Sequence, residues 1–229
     1  RRHFIDMELC QLDSFYLYNL NHYNKIVNQR NKLLKDLSVK PGLKETLSIW
    51  DSQLASFGSK LIERRERFIE QLGDIIRELH TKLSGGKEEI KIIYEKNVEI
   101  DDLEEKLKKN QEKDIILKQT TVGPHRDDIR FMVNDVDIRK FGSQGQQRTA
   151  ALSLKLSEIE LVKKSIKDTP VLLLDDVLSE LDSNRQNYLL NSIGAIQTII
   201  TCTGLDEFVK NRFEINKVFK VVNGMIDIS

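Results

Sequence analysis

Between Glu45 and Leu83 the apolar residues recur every three or four positions, at Leu47, Trp50, Leu54, Phe57 and Leu61, then at Phe68, Ile75 and Leu79. That spacing predicts one long helix, and a seam of about 3.5 residues has a coiled-coil-like character. Arg64-Arg65 is expected to interrupt the register and Gly85-Gly86 to stop it. A second amphipathic helix is predicted over residues 13–37, from Tyr16, Leu20, Tyr23, Ile26-Val27, Arg30 and Leu33-Leu34, with Pro41-Gly42 ending it. Residues 100–117 read as a third, with Asp101-Asp102 in the first turn and Lys108-Lys109 further on, as the helix dipole prefers. The pairs Asp102–Lys106, Glu104–Lys108 and Glu105–Lys109 sit four apart and decorate a solvated face. Glu89–Tyr94 has strand composition. Residues 14–118 therefore read as an antiparallel helical arm, the plain alternative, favoured by the apolar seam taken alone, being a helical bundle that packs on itself.

Near residue 119 the pattern changes to short strands alternating with helices. Ile129–Val133 and Val136–Ile138 flank Asn134-Asp135, a hairpin signal. A helix is expected from Gly145 to Ser165. Val171-Leu172-Leu173-Leu174 is a continuous apolar run of the kind found in buried parallel strands. Helices over 183–193 and 206–211 alternate with a strand over Gln197–Thr201, and a hairpin around Asn223-Gly224 closes the chain. The expected fold class is α/β with a largely parallel sheet.

Composition narrows the function classes. The 229 residues hold 36 Lys+Arg and 36 Asp+Glu, so net charge alone cannot hold the chain to nucleic acid and any basic surface is a local patch. With 31% charged and 39% hydrophobic residues the chain is neither a disordered tail nor a fibre. No apolar run approaches the roughly 18 residues that span a bilayer. Cys10 and Cys202 lie far apart and fit no disulfide framework or zinc pattern, which points to a reducing cytoplasmic setting. The opening Arg1-Arg2-His3-Phe4-Ile5-Asp6 has neither an initiator Met nor a signal-peptide core, so the chain is expected to be an excised portion.

Three motifs carry chemistry. Val171–Leu174 followed by Asp175-Asp176 puts Asp175 at the carboxyl end of a strand, where α/β sheets bind ligands. An acid there holds Mg²⁺ in phosphoryl-transfer sites, and the next carboxylate can orient or deprotonate a water. The plain alternative is two acids that cap a strand. Upstream, Phe141-Gly142-Ser143-Gln144-Gly145-Gln146-Gln147-Arg148 runs into a helix, whose first N–H groups form a phosphate cradle, with Gly145 admitting a ligand close to the backbone. Here the plain alternative is an N-cap serine with a flexible turn. Downstream, Ser179-Glu180-Leu181-Asp182 is by itself only a turn with a cap before Asn184.

In this order the motifs resemble the signature loop, Walker B and D-loop of ABC/SMC-type ATPases. Their spelling resembles the RecF family: Gly123-Pro124-His125-Arg126-Asp127-Asp128, then Ser143–Thr149, then Leu173–Asp182, with Arg1-Arg2, Phe4-Ile5-Asp6 and Gln29-Arg30-Asn31 upstream. The resemblance implies an ABC/SMC-type ATPase head portion with a helical arm. Residues 1–13 would end an amino-terminal lobe, 14–118 would form the arm, and 119–229 the carboxyl-terminal lobe. It implies ATP and Mg²⁺ as cofactors, with Asp175 on the metal, Asp176 catalytic, and Ser143, Gln144, Gly145, Gln146, Ser179, Asp182 and Thr203 contacting nucleotide. It implies an ATP-dependent homodimer in which the signature loop of one subunit completes the partner's site. Single-stranded, double-stranded and junction DNA would be its partners, with RecR and RecO, in recombinase loading. No Gly-x-x-x-x-Gly-Lys-Ser/Thr occurs, because Ser84-Gly85-Gly86-Lys87 has the wrong spacing and follows a helix. By the resemblance, this chain is then the carboxyl-terminal portion without its P-loop, inactive alone. Asp176 stands where most such ATPases have Glu, which suggests slow hydrolysis, and Thr201-Cys202-Thr203 replaces a switch histidine.

Other residues read as structural. His125-Arg126 leans to a turn beside a salt-bridged Asp127, and His3, His22, His80 and His125 lack ligand spacing. Lys60, Arg64, Arg65 and Arg67 interleave with Glu63, Glu66 and Glu70, so a solvated salt-bridged face is expected instead of a DNA contact. Trp50 and Phe68 belong to the apolar seam. The alternatives to the main reading are another SMC-like ATPase head and a non-enzymatic helical interaction module.

Overall fold

Asp13 sets the start of the first predicted helix, since its carboxylate accepts the N–H groups of Phe15 and Tyr16 at 2.9 and 3.1 Å. Before it lies a helix that the periodicity did not announce, α1 (Arg2–Leu12), and after it α2 (Ser14–Asp36). These positions come from a computed structural model, which describes residues 2–166, 169–178, 181–193, 196–202 and 217–228. The helix predicted over 206–211 lies outside the described residues. The chain divides into two compact units, Arg1–Lys167 and Asp168–Ser229.

In the first unit α3 (Leu47–Leu83) is the axis. Its buried stripe runs Leu47, Leu54, Leu61-Ile62, Arg65, Phe68-Ile69, Leu72, Ile76, His80 and Leu83. Arg65 therefore occupies the stripe itself, where the sequence predicted an interruption of the register. A guanidinium is admitted there because each edge finds an oxygen. It meets Asp6 at 2.8 Å, Tyr16 Oη at 2.9 Å, the Pro124 carbonyl at 2.7 Å and Asp127 at 3.1 Å. Arg30 on α2, also fully buried, pairs with Asp51 at 2.8 Å and Asp114 at 2.7 Å. Around these pairs, Ile5, Tyr16, Tyr23, Leu54, Leu61, Leu72, Leu103 and Ile129 form one apolar core. Each fully buried aliphatic side chain contributes about 1.5–3 kcal/mol.

A strand, β1 (Ile90–Glu95), follows the Gly85-Gly86 turn. The third helix is divided: α4 (Leu103–Lys109) and α5 (Gln111–Leu117) meet at Asn110, whose amide bonds back to Lys106 O at 2.9 Å. The break delivers Asp114 to Arg30. The three expected ion pairs on α4 form at 2.8 Å for Glu104–Lys108, 3.4 Å for Asp102–Lys106, and shorter for Glu105–Lys109.

Next, β2 (Asp128–Val133) and β3 (Val136–Asp137) make the expected hairpin, with Asn134 and Asp135 at φ 49° and 62°. Its partner corrects the expectation of a largely parallel sheet. β2 pairs antiparallel with β1, Ile90 opposite Val133, so a strand assigned to the arm joins one from beyond residue 119. After α6 (Ile138–Phe141), α7 (Gln144–Ile166) packs along α3. The hydroxyls of Thr149, Ser153 and Ser157 on α7 are buried and return to the carbonyls of Gly145, Thr149 and Ser153 at 2.6–2.8 Å. His80 meets Ser153 Oγ at 2.9 Å across the helix pair.

Glu158 on α7 is 11% exposed and pairs with Lys155 at 3.0 Å, while Lys155 lies over the Phe4 ring. Burial pushes its carboxyl up to about 7, the contacts of Lys155 offset this only in part, and the charge of Glu8 adds to the rise. The folded chain thus holds this proton more tightly than the unfolded one. The contribution is complete below about 4.5 and is lost as pH rises through about 7. Glu158→Gln is expected to stabilise the chain at pH 8 by on the order of 1–2 kcal/mol, after allowing for solvent screening, and to leave it unchanged near pH 4. Urea unfolding at both pH values checks this, and an equal gain at both would refute the titration account.

In the second unit β4 (Leu172–Asp175) and β5 (Thr198–Thr201) pair in parallel, with α8 (Ser183–Ile193) between them in sequence. Burial is not what the apolar run predicted. Leu174 is 8% exposed, but Leu173 and its register partner Ile199 are 70% and 56% exposed. In a two-stranded pair, alternate side chains point to opposite faces, and here only one face is covered by described residues. β6 (Phe219–Val222) and β7 (Met225–Ile228) form the closing hairpin through Asn223 and Gly224, at φ 51° and 79°.

Candidate nucleotide-contact residues

The first candidate group is the turn into α7. Ser143 Oγ accepts the Gln146 N–H at 3.2 Å, and Gln146 Oε1 accepts the Ser143 N–H at 3.0 Å. This reciprocal pair is a capping box, and it makes Ser143 the N-cap that its alternative reading required. Gln147 adds amide bonds to the carbonyls of Ile138 and Gly142, both at 3.1 Å. The turn is thus held in shape while Ser143 and Gln144 stay exposed and Gly145 half-buried. Capping uses the Ser143 oxygen as an acceptor and leaves its O–H proton able to donate. The N–H groups of Gln144 and Gly145 lie in the first turn, where no intrahelical acceptor exists. A Cβ at position 145 would meet nothing nearer than Ser143 Oγ at 3.9 Å. Internal packing therefore does not demand glycine there, whereas close approach from outside would.

The second group lies at the carboxyl end of β4, in the other unit. Asp175 ends the strand opposite Thr201 and is exposed. The Thr201 hydroxyl donates to Asp175 Oδ1, and the Asp176 N–H donates to the Thr201 carbonyl at 3.1 Å. Asp176 takes φ 50°, a left-handed conformation tolerated by Asp, which turns the chain off the strand line. The sequence placed Thr201 in the segment that replaces a switch histidine, and its contact with Asp175 is what reasoning along the chain did not show. Strand register alone brings it to Asp175, 26 positions away. Among the described residues no group of three or more His, Cys, Asp or Glu could hold a metal. One or two carboxylates completed by phosphate and water is nonetheless how Mg²⁺ is commonly bound, so an exposed Asp175 oriented by a hydroxyl fits that ion.

Asp182 is held locally. Its Oδ1 accepts the N–H groups of Asn184 and Arg185 at 3.1 and 3.0 Å, and its Oδ2 pairs with Arg185 at 2.9 Å. It caps α8, as its alternative reading had it. Ser179 and Thr203 lie outside the described residues.

The Gly123–Asp128 segment is built into the first unit's core. His125 accepts the Tyr23 hydroxyl at Nδ1, 2.7 Å, and donates from Nε2 to the Thr120 carbonyl at 3.0 Å. Burial lowers its pKa to about 4, so it is neutral at pH 7. Arg126 donates to the same carbonyl at 2.8 Å. The basic cluster on α3 divides in the same way. Arg65 is buried, Arg67 pairs with Glu63 at 2.5 Å, Arg64 with Asp13 at 2.8 Å, and Glu66 with Lys96 at 2.9 Å. The solvated-face expectation holds for all of these except Arg65. Phe68 is 4% exposed and Trp50 packs against the core.

No family model matches the chain. The DNA replication and repair protein RecF of Lachnospira eligens is 62% identical over 228 residues, which cover 99% of this chain and 63% of that protein. RecF of Agathobacter rectalis is 60% identical, over 100% and 63%. The solved structure of a recombination mediator protein RecF with ATPrS, in the RecFOR pathway, matches all of this chain and 62% of that one, with a TM-score of 0.86 at 34% identity. The chain spans somewhat less than two thirds of the length of these relatives. Sequence identity sustained from end to end, on a backbone of the same shape, makes this chain a member of the RecF family over the length it spans.

Proposed function

We propose that this chain supplies the signature loop and the Walker B acids of a DNA repair and replication ATPase. That ATPase dimerises on ATP, acts at single-strand gaps and junctions, and helps load recombinase there with RecR and RecO. The observation that carries the reading is the reciprocally capped turn Ser143–Gln146, exposed at Ser143 and Gln144, with a glycine at 145 that internal packing does not require. RecF structures determined with ATP and with ATPrS match the whole chain, which supports a nucleotide as the ligand.

In this reading the Ser143 hydroxyl and the N–H groups of Gln144 and Gly145 donate hydrogen bonds to a phosphate held by the partner subunit. Asp175, oriented by Thr201, takes the cation, and Asp176 orients the attacking water or accepts its proton. Bound ATP with Mg²⁺ supplies the concentrated charge that bridges the subunits and the bond that is cleaved. Ser179, Gln146, Asp182 and Thr203 complete the contacts. Asp176 is one methylene shorter than the usual Glu and holds water less closely, which favours slow turnover.

Ser143→Arg tests the composite site, because it places a bulky cation in the turn while leaving the P-loop of the partner untouched. Dimerisation on adding ATP, followed by sedimentation in the protein at its relatives' full length, is expected to be lost in this variant. A variant that dimerises as the wild type does removes the composite site.

A further inference from the structure

The outward side of α2 differs in charge from the rest of the chain. From Ser14 to Lys35 it has no acidic residue, although acids and bases are equal in number overall. The stretch of α3 beside it, Ser52 to Ile62, has none either, and Asp51 just before it is buried beneath Arg30. On this acid-free surface the aromatic residues stand outward. Phe15 and Tyr18 are 52% and 54% exposed. Tyr18 leans on His22 with ring centroids 4.0 Å apart, and His22 stacks on Phe57 of α3 at 5.3 Å and 11°. Lys60 Nζ lies 5.7 Å from the Phe15 ring centre and 5.5 Å from that of Phe57. Lys25, three residues past His22, shares their side of the helix. Of the carboxylates that flank this face, Asp13 is occupied by the α2 cap and by Arg64, and Glu63, three residues past Lys60, by Arg67.

Exposed rings with cations beside them, and flanking carboxylates already engaged by Arg64 and Arg67, match the chemistry of an unpaired polynucleotide, whose bases offer π-faces and whose phosphates need positive charge. We infer that this face of α2 and α3 binds single-stranded DNA, with bases stacked on Phe15, Tyr18 and the His22–Phe57 pair and phosphates against Lys25 and Lys60. A duplex hides its base faces and engages only the lysines. The inference shares with the proposed function only that DNA is the ligand, and it needs neither nucleotide nor dimer.

Fluorescence anisotropy of a short fluorescein-labelled oligothymidylate with this chain, without nucleotide, tests it. Phe15→Ala with Tyr18→Ala is expected to weaken binding on the order of tenfold or more, and Tyr18→Phe to stay within about twofold of wild type. Lys25→Ala with Lys60→Ala is expected to flatten the dependence of log K on log salt by about 0.7 per lysine. All four positions are exposed, so an unchanged thermal midpoint shows that the fold is kept. Wild-type binding that the aromatic pair does not alter overturns the site and leaves the DNA reading standing. No wild-type binding at any salt overturns both. Self-association that the aromatic pair abolishes, without oligonucleotide binding, makes the face a protein interface and also overturns the proposal. Loss or survival of ATP-dependent dimerisation bears on the composite site alone.

Discussion

Arg65→Met is expected to lower the unfolding free energy by about 3–5 kcal/mol, although methionine is well suited to a helix and fills much of the same volume. The loss comes from what stays behind. Asp6 and Asp127 would keep their places among apolar side chains without the charge that balances them, and the Pro124 carbonyl would lose its donor. Asp127 is 4% exposed and retains only the Tyr94 hydroxyl and the Asn97 N–H at 2.8 Å. Burial pushes the Tyr16 and Tyr94 phenols upward, so both remain neutral donors and cannot replace a cation. Chemical denaturation checks the size of the effect. If the ion pairs are its source, adding Asp6→Asn and Asp127→Asn to Arg65→Met restores part of the loss, because charges that share one partner are not additive. A triple variant less stable than Arg65→Met by the sum of the separate changes would show that packing, not charge, sets the cost.

Gly123→Ala is the second large effect, expected at about 3–5 kcal/mol from two sources that add. Gly123 sits at φ 127° with extended ψ, a region closed to side chains. A Cβ there would also lie 2.3 Å from the Tyr23 hydroxyl, which must then leave His125 Nδ1. The same turn aims the Gly123 N–H at Asn97 Oδ1, 2.9 Å, and the Pro124 carbonyl at Arg65. One methyl group thus disturbs the contacts among α2, α3 and the segment before β2 together. Urea unfolding measures the loss, and Tyr23→Phe on the Gly123→Ala background is expected to recover the steric part only. A Gly123→Ala protein within about 1 kcal/mol of wild type would refute this account of the backbone.

Arg64-Arg65 looked like a break because a charged pair interrupts an apolar repeat. The partners of Arg65 are 59 and 62 positions away, on α1 and in the turn before β2. The Arg30 site is similar, built from Asp51 and Asp114 on α3 and α5.

What could be read along the chain was local. Helix periods, the Asn134-Asp135 and Asn223-Gly224 turns, the serine before α7 and the acids at the end of an apolar run all depend on neighbours within a few residues, where backbone geometry and hydrogen bonding decide the outcome. Spelling alone also pointed to the family. What required the folded chain was every pairing across distance: β1 with β2 in place of a parallel neighbour, Thr201 with Asp175, the guanidiniums with their carboxylates, and Phe57 with His22. Such contacts follow from which surfaces must leave water together, and a linear order of residues does not specify that until the helices have packed.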